Sequence, residues 1–222
     1  SPLSELTDTN SLPSISIFSI PRLASTMITD ALFQYRKKNP ETDIRMITQS
    51  SKEVLASIST VNNAIGFISY PDHVNCNMEP FQLAQFPDLT IHPLIASKFY
   101  ICLHKNSRYN TKQTFTNRDL ASLPLLSFTP AYEILSNFSE FPLNIVSNIN
   151  DLSTLQSLIQ EDFGIGLITL NEFNRLLRDS DDLILRPIQS DSNSNIYYAY
   201  VLNEESAQNP YINDFIRSLR SK

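Results

Sequence analysis

The chain is poor in glycine, and this scarcity excludes several nucleotide-binding and hydrolase motifs. Its 222 residues include only three glycines, Gly66, Gly164 and Gly166. No pair of them has the spacing of a Walker A loop or of the G-x-S-x-G turn that holds a nucleophilic serine. Gly164 and Gly166 have the spacing that begins a dinucleotide-binding turn, but Thr169 stands where the third glycine is required. We therefore expect none of these three sites.

Cysteine and histidine are also scarce, which leaves little material for a metal site. The spacing of Cys76 and Cys102 requires no disulfide, so we interpret both as reduced thiols in a reducing, cytoplasmic compartment. Asp72 and His73 precede Cys76 without further ligands, which favours an ordinary loop over a metal site. Three pairs of adjacent acidic residues occur: Glu161-Asp162, Asp181-Asp182 and Glu204-Glu205. Because adjacent residues do not face each other on a helix, we interpret these pairs as solvated charges rather than as a catalytic dyad. We therefore expect the chain to bind no metal and no cofactor, and not to be an enzyme.

The chain has no excess of basic residues and no long apolar run. Seventeen Lys and Arg stand against 23 Asp and Glu, for a net charge of -6. A chain that binds nucleic acid by itself needs a basic face, whereas Arg36-Lys37-Lys38 is typical of a solvated helix end. No apolar run approaches the roughly 18 residues of a membrane span. We expect no direct binding to DNA and no membrane partner.

Strand and helix periodicities alternate from Ser14 onward, after a polar linker at residues 1–13. Residues 14–19, 43–48 and 64–69 have strand patterns, and two helical patterns separate them. Pro21 suits the first turn of the first helix, and Ser50 with Glu53 predicts a capping box for the second. This order, β-α-β-α-β, is the unit of a parallel sheet.

The same order returns at residues 125–169. Its predicted strands cover 125–128, 144–149 and 166–169, with helices at 131–138 and after Asn150 or Asp151, either of which could cap. Gly164 fits the end of the second helix. Strand-like runs at 90–95 and 98–104 lie between the two units, and a strand at 196–202 and a helix after Pro210 follow them. Two such units facing each other predict a ligand cleft at helix N-termini.

Six segments, in order, resemble the effector-binding domain of LysR-type transcription regulators over about residues 15–219. They are ISIFSIPRLASTMITDALFQYRKKNPETDIRM, QSSKEVLASI, AIGFIS, HPLIASKFYICLHKNSRY, FTNRDLASLPLLSF and NINDLSTLQSLIQEDFGIGLIT. The pattern departs from the family at Ala64, where an acid is usual, at Asp162, where a glycine is usual, and at Thr169-Leu170, where a proline is usual.

The resemblance implies an α/β, two-lobed fold of the periplasmic-binding-protein type 2 class, in which two crossover strands join the lobes. Residues 14–95 plus 203–222 would form lobe I, and 96–202 lobe II. The family's winged helix-turn-helix is not in this sequence, so the parent protein would bind DNA through a part outside it. The family also implies a small-molecule effector in the inter-lobe cleft and assembly as a homodimer or homotetramer.

The family's ligand site maps onto eight positions of this sequence, all near predicted helix N-termini: Ile20, Pro21, Arg22, Ser50, Ser51, Phe128, Thr129 and Asn150. Arg22 is the most informative of them, because a guanidinium beside helix N-termini suits a carboxylate or phosphate. Its alternative interpretation is a solvated residue of the first helical turn.

Two other functions stay open at this point. An exported solute-binding protein shares the fold class, and a signal peptide in place of a helix-turn-helix in the parent reading frame would distinguish it. An enzyme on the same scaffold would need a convergent acid–base pair, which the sequence does not supply.

Overall fold

The computed structural model describes residues 12–70, 85–128, 141–176, 180–189 and 195–220. The linker at 1–11, most of the loop predicted at 71–88, the helix predicted at 131–138 and Thr129 lie outside these residues. Within the described residues, ten strands form one sheet, and eight of them follow its main path in the order β2-β1-β3-β10-β4-β8-β6-β7.

The first predicted unit is confirmed. β1 (Ser14–Ser19) pairs in parallel with β2 (Asp43–Thr48) and with β3 (Ala64–Tyr70). The first helical region comprises α1 (Pro21–Leu23), a π-helical segment (Ala24–Ile28) and α2 (Thr29–Lys38). α3 (Ser51–Thr60) begins with the capping box that Ser50 and Glu53 predict.

The strand-like runs at 90–95 and 98–104 were predicted as two strands, and this was wrong: both belong to one strand, β4 (Leu89–His104). Its first part, Leu89–Lys98, pairs with β10 (Asn195–Asn203) beside the first unit. Its second part pairs with β8 (Ile165–Thr169) and β9 (Leu183–Gln189). The strand continues because each half finds a different partner, which periodicity alone does not reveal.

The second unit repeats the first. β6 (Leu125–Phe128) pairs in parallel with β7 (Ile145–Ile149) and with β8. α5 (Leu152–Gln160) connects β7 to β8, and Asp151, one of the two predicted caps, accepts from the Thr154 amide at its start. α6 (Leu170–Leu176) follows β8.

Four short or terminal elements complete the described fold. β5 (Phe115–Thr116) pairs with β9 and precedes α4 (Asn117–Leu120), which Thr116 and Asp119 cap through a capping box. α7 (Glu204–Ala207) and α8 (Pro210–Arg220) follow β10. β10 pairs with β3 and the first half of β4, although the expected lobe division assigns most of it to lobe II. That division stays a prediction.

Helices cover both faces of the sheet around the first unit. On one face, Tyr35 of α2 and Phe215 of α8 pack edge to face with ring centroids 5.6 Å apart. On the other, Val54 and Ile58 of α3 lie over buried residues of β1 and β3. This two-sided burial explains why every residue of β3 from Ala64 to Ser69 is buried, as the apolar sequence of a parallel strand requires.

The predicted role of Gly164 at the end of α5 was wrong. Asp162 instead adopts the left-handed conformation, with φ of 52°. Gly164 serves close packing, because a Cβ there would lie 2.9 Å from both the Pro124 carbonyl oxygen and Leu126 Cγ. The family glycine replaced by Asp162 is thus at the position where the backbone favours glycine.

Candidate functional site

Hydrogen bonds join the carboxyl ends of the three parallel strands in the first unit. The Gln49 amide, just after β2, donates to the Ser19 carbonyl at 2.8 Å, and the Ile20 amide donates to the Phe67 carbonyl of β3 at 3.2 Å. The Ser69 amide of β3 donates to Ser51 Oγ at 3.2 Å. These bonds place Ile20 and Ser51, two of the predicted site residues, at one edge of the sheet.

Ser50, Pro21 and Asn150 lie near helix starts and are at least partly accessible. Ser50 is exposed and caps α3, where its Oγ accepts from the Glu53 amide at 3.3 Å. Pro21 is half-buried at the start of α1, and Asn150 is exposed directly after β7. Hydroxyl and amide groups at helix N-termini are suitable donors and acceptors for a small polar ligand.

Arg22 connects the two units. It follows β1 in the first unit, and its guanidinium donates to the Phe128 carbonyl at the carboxyl end of β6 and to both carboxylate oxygens of Glu172 in α6. The carboxyl ends of parallel strands from both units therefore meet at this side chain. Open parallel sheets bind ligands at such edges.

The Arg22 side chain is enclosed rather than solvated, with a relative exposure of 1%. Its guanidinium carbon lies 4.8 Å from the ring centroid of Phe128 and 5.3 Å from that of Phe99, so two aromatic rings contribute cation–π contacts. Within the described part of the chain, Arg22 Nε has no hydrogen-bond partner. The alternative interpretation of Arg22 as a solvated first-turn residue was wrong.

Glu172, which was not predicted from the sequence, joins the candidate site through its contact with Arg22. Its side chain is fully buried, and its Oε2 accepts from the Thr169 amide at 2.6 Å. Burial raises the pKa of the Glu172 carboxyl above its ordinary value, while the Arg22 guanidinium and the Thr169 amide act in the opposite direction. A signal was available, because Thr169 and Glu172 have the spacing of a capping box at the start of a helix.

A second, more exposed contact joins the same two regions. Arg175 of α6 donates to the Thr26 carbonyl and to the Asp30 carboxylate, both at 2.6 Å. Thr26 lies in the π-helical segment, and such segments often occur at functional positions. An open groove of about 670 Å³ lies beside this contact, lined in part by Met27, Phe33 and Arg175.

Two features of the described residues concern reactive sites: the Cys102 thiol and the arrangement of potential metal ligands. Burial raises the pKa of the Cys102 thiol to about 12, so this thiol is not a reactive thiolate. Among the described residues, no group of three or more His, Cys, Asp or Glu side chains has the arrangement of a metal site. The same residues include no helix that is both long and apolar enough to cross a membrane.

Comparison with known proteins identifies the family. The model of the LysR substrate binding domain matches residues 11–222. The chain belongs to this family. Its members are effector-binding domains of LysR-type transcription regulators rather than enzymes, so the family resemblance read from the sequence is confirmed. The chain matches no curated protein.

Solved LysR structures share the fold at low sequence identity. HinK from Pseudomonas aeruginosa is 13% identical with a TM-score of 0.70, and the match covers 94% of this chain and 70% of HinK. Full-length CbnR in complex with its target DNA is 14% identical with a TM-score of 0.67, covering 96% and 71%. The effector-binding domain of QuiR in complex with shikimate is 12% identical with a TM-score of 0.69, covering 94% and 96%.

These comparisons confirm the periplasmic-binding-protein type 2 fold expected for the chain. Of the eight predicted site residues, Ile20 and Phe128 lie at the strand ends described above, and Arg22 and Ser51 form hydrogen bonds with such ends. Ser50, Pro21 and Asn150 lie at the adjoining helix starts, and Thr129 lies outside the described residues. Their role in binding stays a prediction.

Proposed function

We propose that this LysR domain senses a small-molecule effector between its two units, at the carboxyl ends of β1, β3, β6 and β8. The meeting of the ends of β1, β6 and β8 at Arg22 and its partner Glu172 carries the proposal. Pro21, Ser50, Ser51 and Asn150 would line the site, together with Ile20, Phe128 and Thr129. Effector binding would shift the relative positions of the two units and so change the activity of the parent regulator.

The charge of Arg22 bears on the class of effector. An anionic effector suits a guanidinium beside helix N-termini, but Arg22 already binds the Glu172 carboxylate. An anion would therefore have to displace Glu172 or bind at the hydroxyl and amide groups of Ser50, Ser51 and Asn150. A neutral polar effector would need only the second group of contacts.

We also propose that the parent protein acts on DNA through a separate domain in the cytoplasm, and that copies of this domain associate as a homodimer or as pairs within a homotetramer. The acidic net charge of -6 supports a separate DNA-binding part. The family match favours this function over the alternative of an exported solute-binding protein.

A thermal-shift screen tests the sensor function. Organic acids, aromatic acids, amino acids and sugar phosphates are added in turn to the domain, and an effector at about 100 times its Kd should stabilise it by about 2.7 kcal/mol. For any compound found, Asn150→Ala should weaken binding about fivefold, as expected for one lost hydrogen bond.

The matched control is Asn144→Ala, because Asn144 is also exposed but lies at the opposite end of β7. It should leave the affinity unchanged. A ligand whose affinity is insensitive to Asn150→Ala, and equally to Ser51→Ala, would place the effector elsewhere and contradict the proposed site. A complete absence of shifts would count against small-molecule sensing.

A further inference from the structure

The described contact between the two units is made by the protein's own charged side chains. Arg22 and Glu172 are 150 positions apart in sequence, yet both oxygens of the Glu172 carboxylate accept from Arg22 Nη1. Arg22 belongs to the helical region after β1, and Glu172 belongs to α6 after β8. The ion pair therefore joins the two units at the proposed effector site.

The Glu172 carboxylate has the surroundings that a bound carboxylate ligand would have. Arg22 supplies a charge-assisted contact to both oxygens, and the Thr169 amide supplies a backbone donor at 2.6 Å. The rings of Phe99 and Phe128 flank the guanidinium and exclude water from it. Side chain and backbone thus present a complete anion site, and Glu172 occupies it.

Burial makes this pair sensitive to the loss of either member. Both side chains are at most 1% exposed. We call the arrangement in which the two units meet at Arg22 closed. If the Glu172 carboxylate is removed, this closed arrangement contains a buried guanidinium without its counter-charge, which is strongly unfavourable. Separation of the two units would let water reach Arg22, so the open arrangement becomes preferred. The carboxylate therefore determines which arrangement is populated.

We propose that Glu172 acts as a built-in anion that holds the two units closed on Arg22 in the absence of effector. This closure regulates the effector site proposed above and rests on that proposal for its location. The domain consequently differs from a sensor that closes only around a bound anion. An effector that carries a carboxylate competes with Glu172 for Arg22. An effector without a carboxylate binds to a domain that is already closed.

Distance measurements between spin labels test this closure directly. Labels at Ser59→Cys in α3 and Ser157→Cys in α5, both exposed positions, report the separation of the two units. The background carries Cys76→Ser and retains Cys102, which is buried with a raised pKa of about 12 and therefore resists labelling. The parent domain without ligand should give one narrow, short distance distribution.

Glu172→Ala should lengthen and broaden this distribution and lower Tm by roughly 10 °C. Sodium acetate should then restore the short distance and raise Tm, because acetate fits the space left by the missing CH₂COO⁻ group. Sodium chloride at equal ionic strength should not. The matched control is Asp30→Ala, which removes the exposed contact to Arg175 between the same regions and should leave the distance unchanged.

Three results would overturn the proposal. They are a broad, long distribution in the parent domain, a short distribution that persists in Glu172→Ala, and a long distribution in Glu172→Ala that acetate does not shorten. If Glu172→Ala does not fold, Glu172→Gln provides the same comparison of distances, with an unchanged distance contradicting closure. The measurement uses no effector, so an unsuccessful effector screen and a failed closure test are distinct outcomes.

Discussion

Arg22 illustrates how much a single residue depends on its distant partner. Its position after β1, beside helix N-termini, predicts a contact with an anion, and the structure provides one in the Glu172 carboxylate. The nature of that anion was unpredictable because Glu172 lies 150 positions away. Composition and periodicity describe neighbours within a few residues, whereas this pair depends on how the two units face each other.

Asp162 is the second residue whose environment conflicts with its side chain. Its φ of 52° is unfavourable for a residue with a Cβ, and its Oδ1 is buried without a hydrogen-bond partner among the described residues. Both penalties disappear if the side chain is removed.

We therefore expect Asp162→Gly to stabilise the domain by roughly 1 kcal/mol, after allowance for the greater freedom of glycine in the unfolded chain. Urea unfolding measures the difference. Asp162→Ala is the control, because it removes the carboxylate but keeps a Cβ at positive φ, and it should be less stable than the glycine variant. A glycine variant less stable than the parent would contradict this explanation.

At the scale of elements, a glycine in each of the two β-α-β-α-β units allows a helix to pack closely against a strand. Gly66 of β3 lies under α3, where a Cβ would be 2.7 Å from both Ile58 Cγ1 and Val54 Cγ1. Gly166 of β8 lies under α5, where a Cβ would be 2.6 Å from Ile159 Cδ1 alone. The strands and helices were predictable from local periodicity, but these close approaches were not.

Gly66→Ala should destabilise the domain by about 1–3 kcal/mol, because two side-chain positions near the middle of α3 must shift. Gly166→Ala should cost clearly less, since the flexible end of one isoleucine can rotate away. Neither glycine has positive φ, so the comparison reports packing and not backbone strain. Chemical denaturation of the two variants measures the difference in the free energy of unfolding. Equal losses of stability would show that the number of helix side chains in contact with the new methyl group does not determine the cost.

At the scale of the whole molecule, the described sheet ends in two edge strands, β2 and β7. Apolar side chains are exposed on both edge strands, with Met46 of β2 at 44% and Val146 of β7 at 43%. Exposed apolar groups on an edge favour association. In a two-fold dimer the β2 edge of each copy can contact the β7 edge of its partner, so this contact occurs twice.

For that dimer, Met46→Lys should raise the Kd of self-association about tenfold or more, because one substitution introduces two charges into a symmetric interface. Sedimentation equilibrium measures the change. Ser59→Lys adds the same charge at an exposed position of α3 and serves as the control. Equal dissociation constants for both variants would exclude the β2 edge from the interface.

The sequence by itself determined the alternation of strands and helices, the capping box at Ser50, and the LysR family, because these depend on contacts between residues close in sequence and on the order of motifs. Only the tertiary structure decided that β4 is continuous, that Asp162 rather than Gly164 takes the left-handed conformation, and that Glu172 neutralises Arg22. Each of these depends on segments brought together by folding, where burial and the choice of partner outweigh local preference.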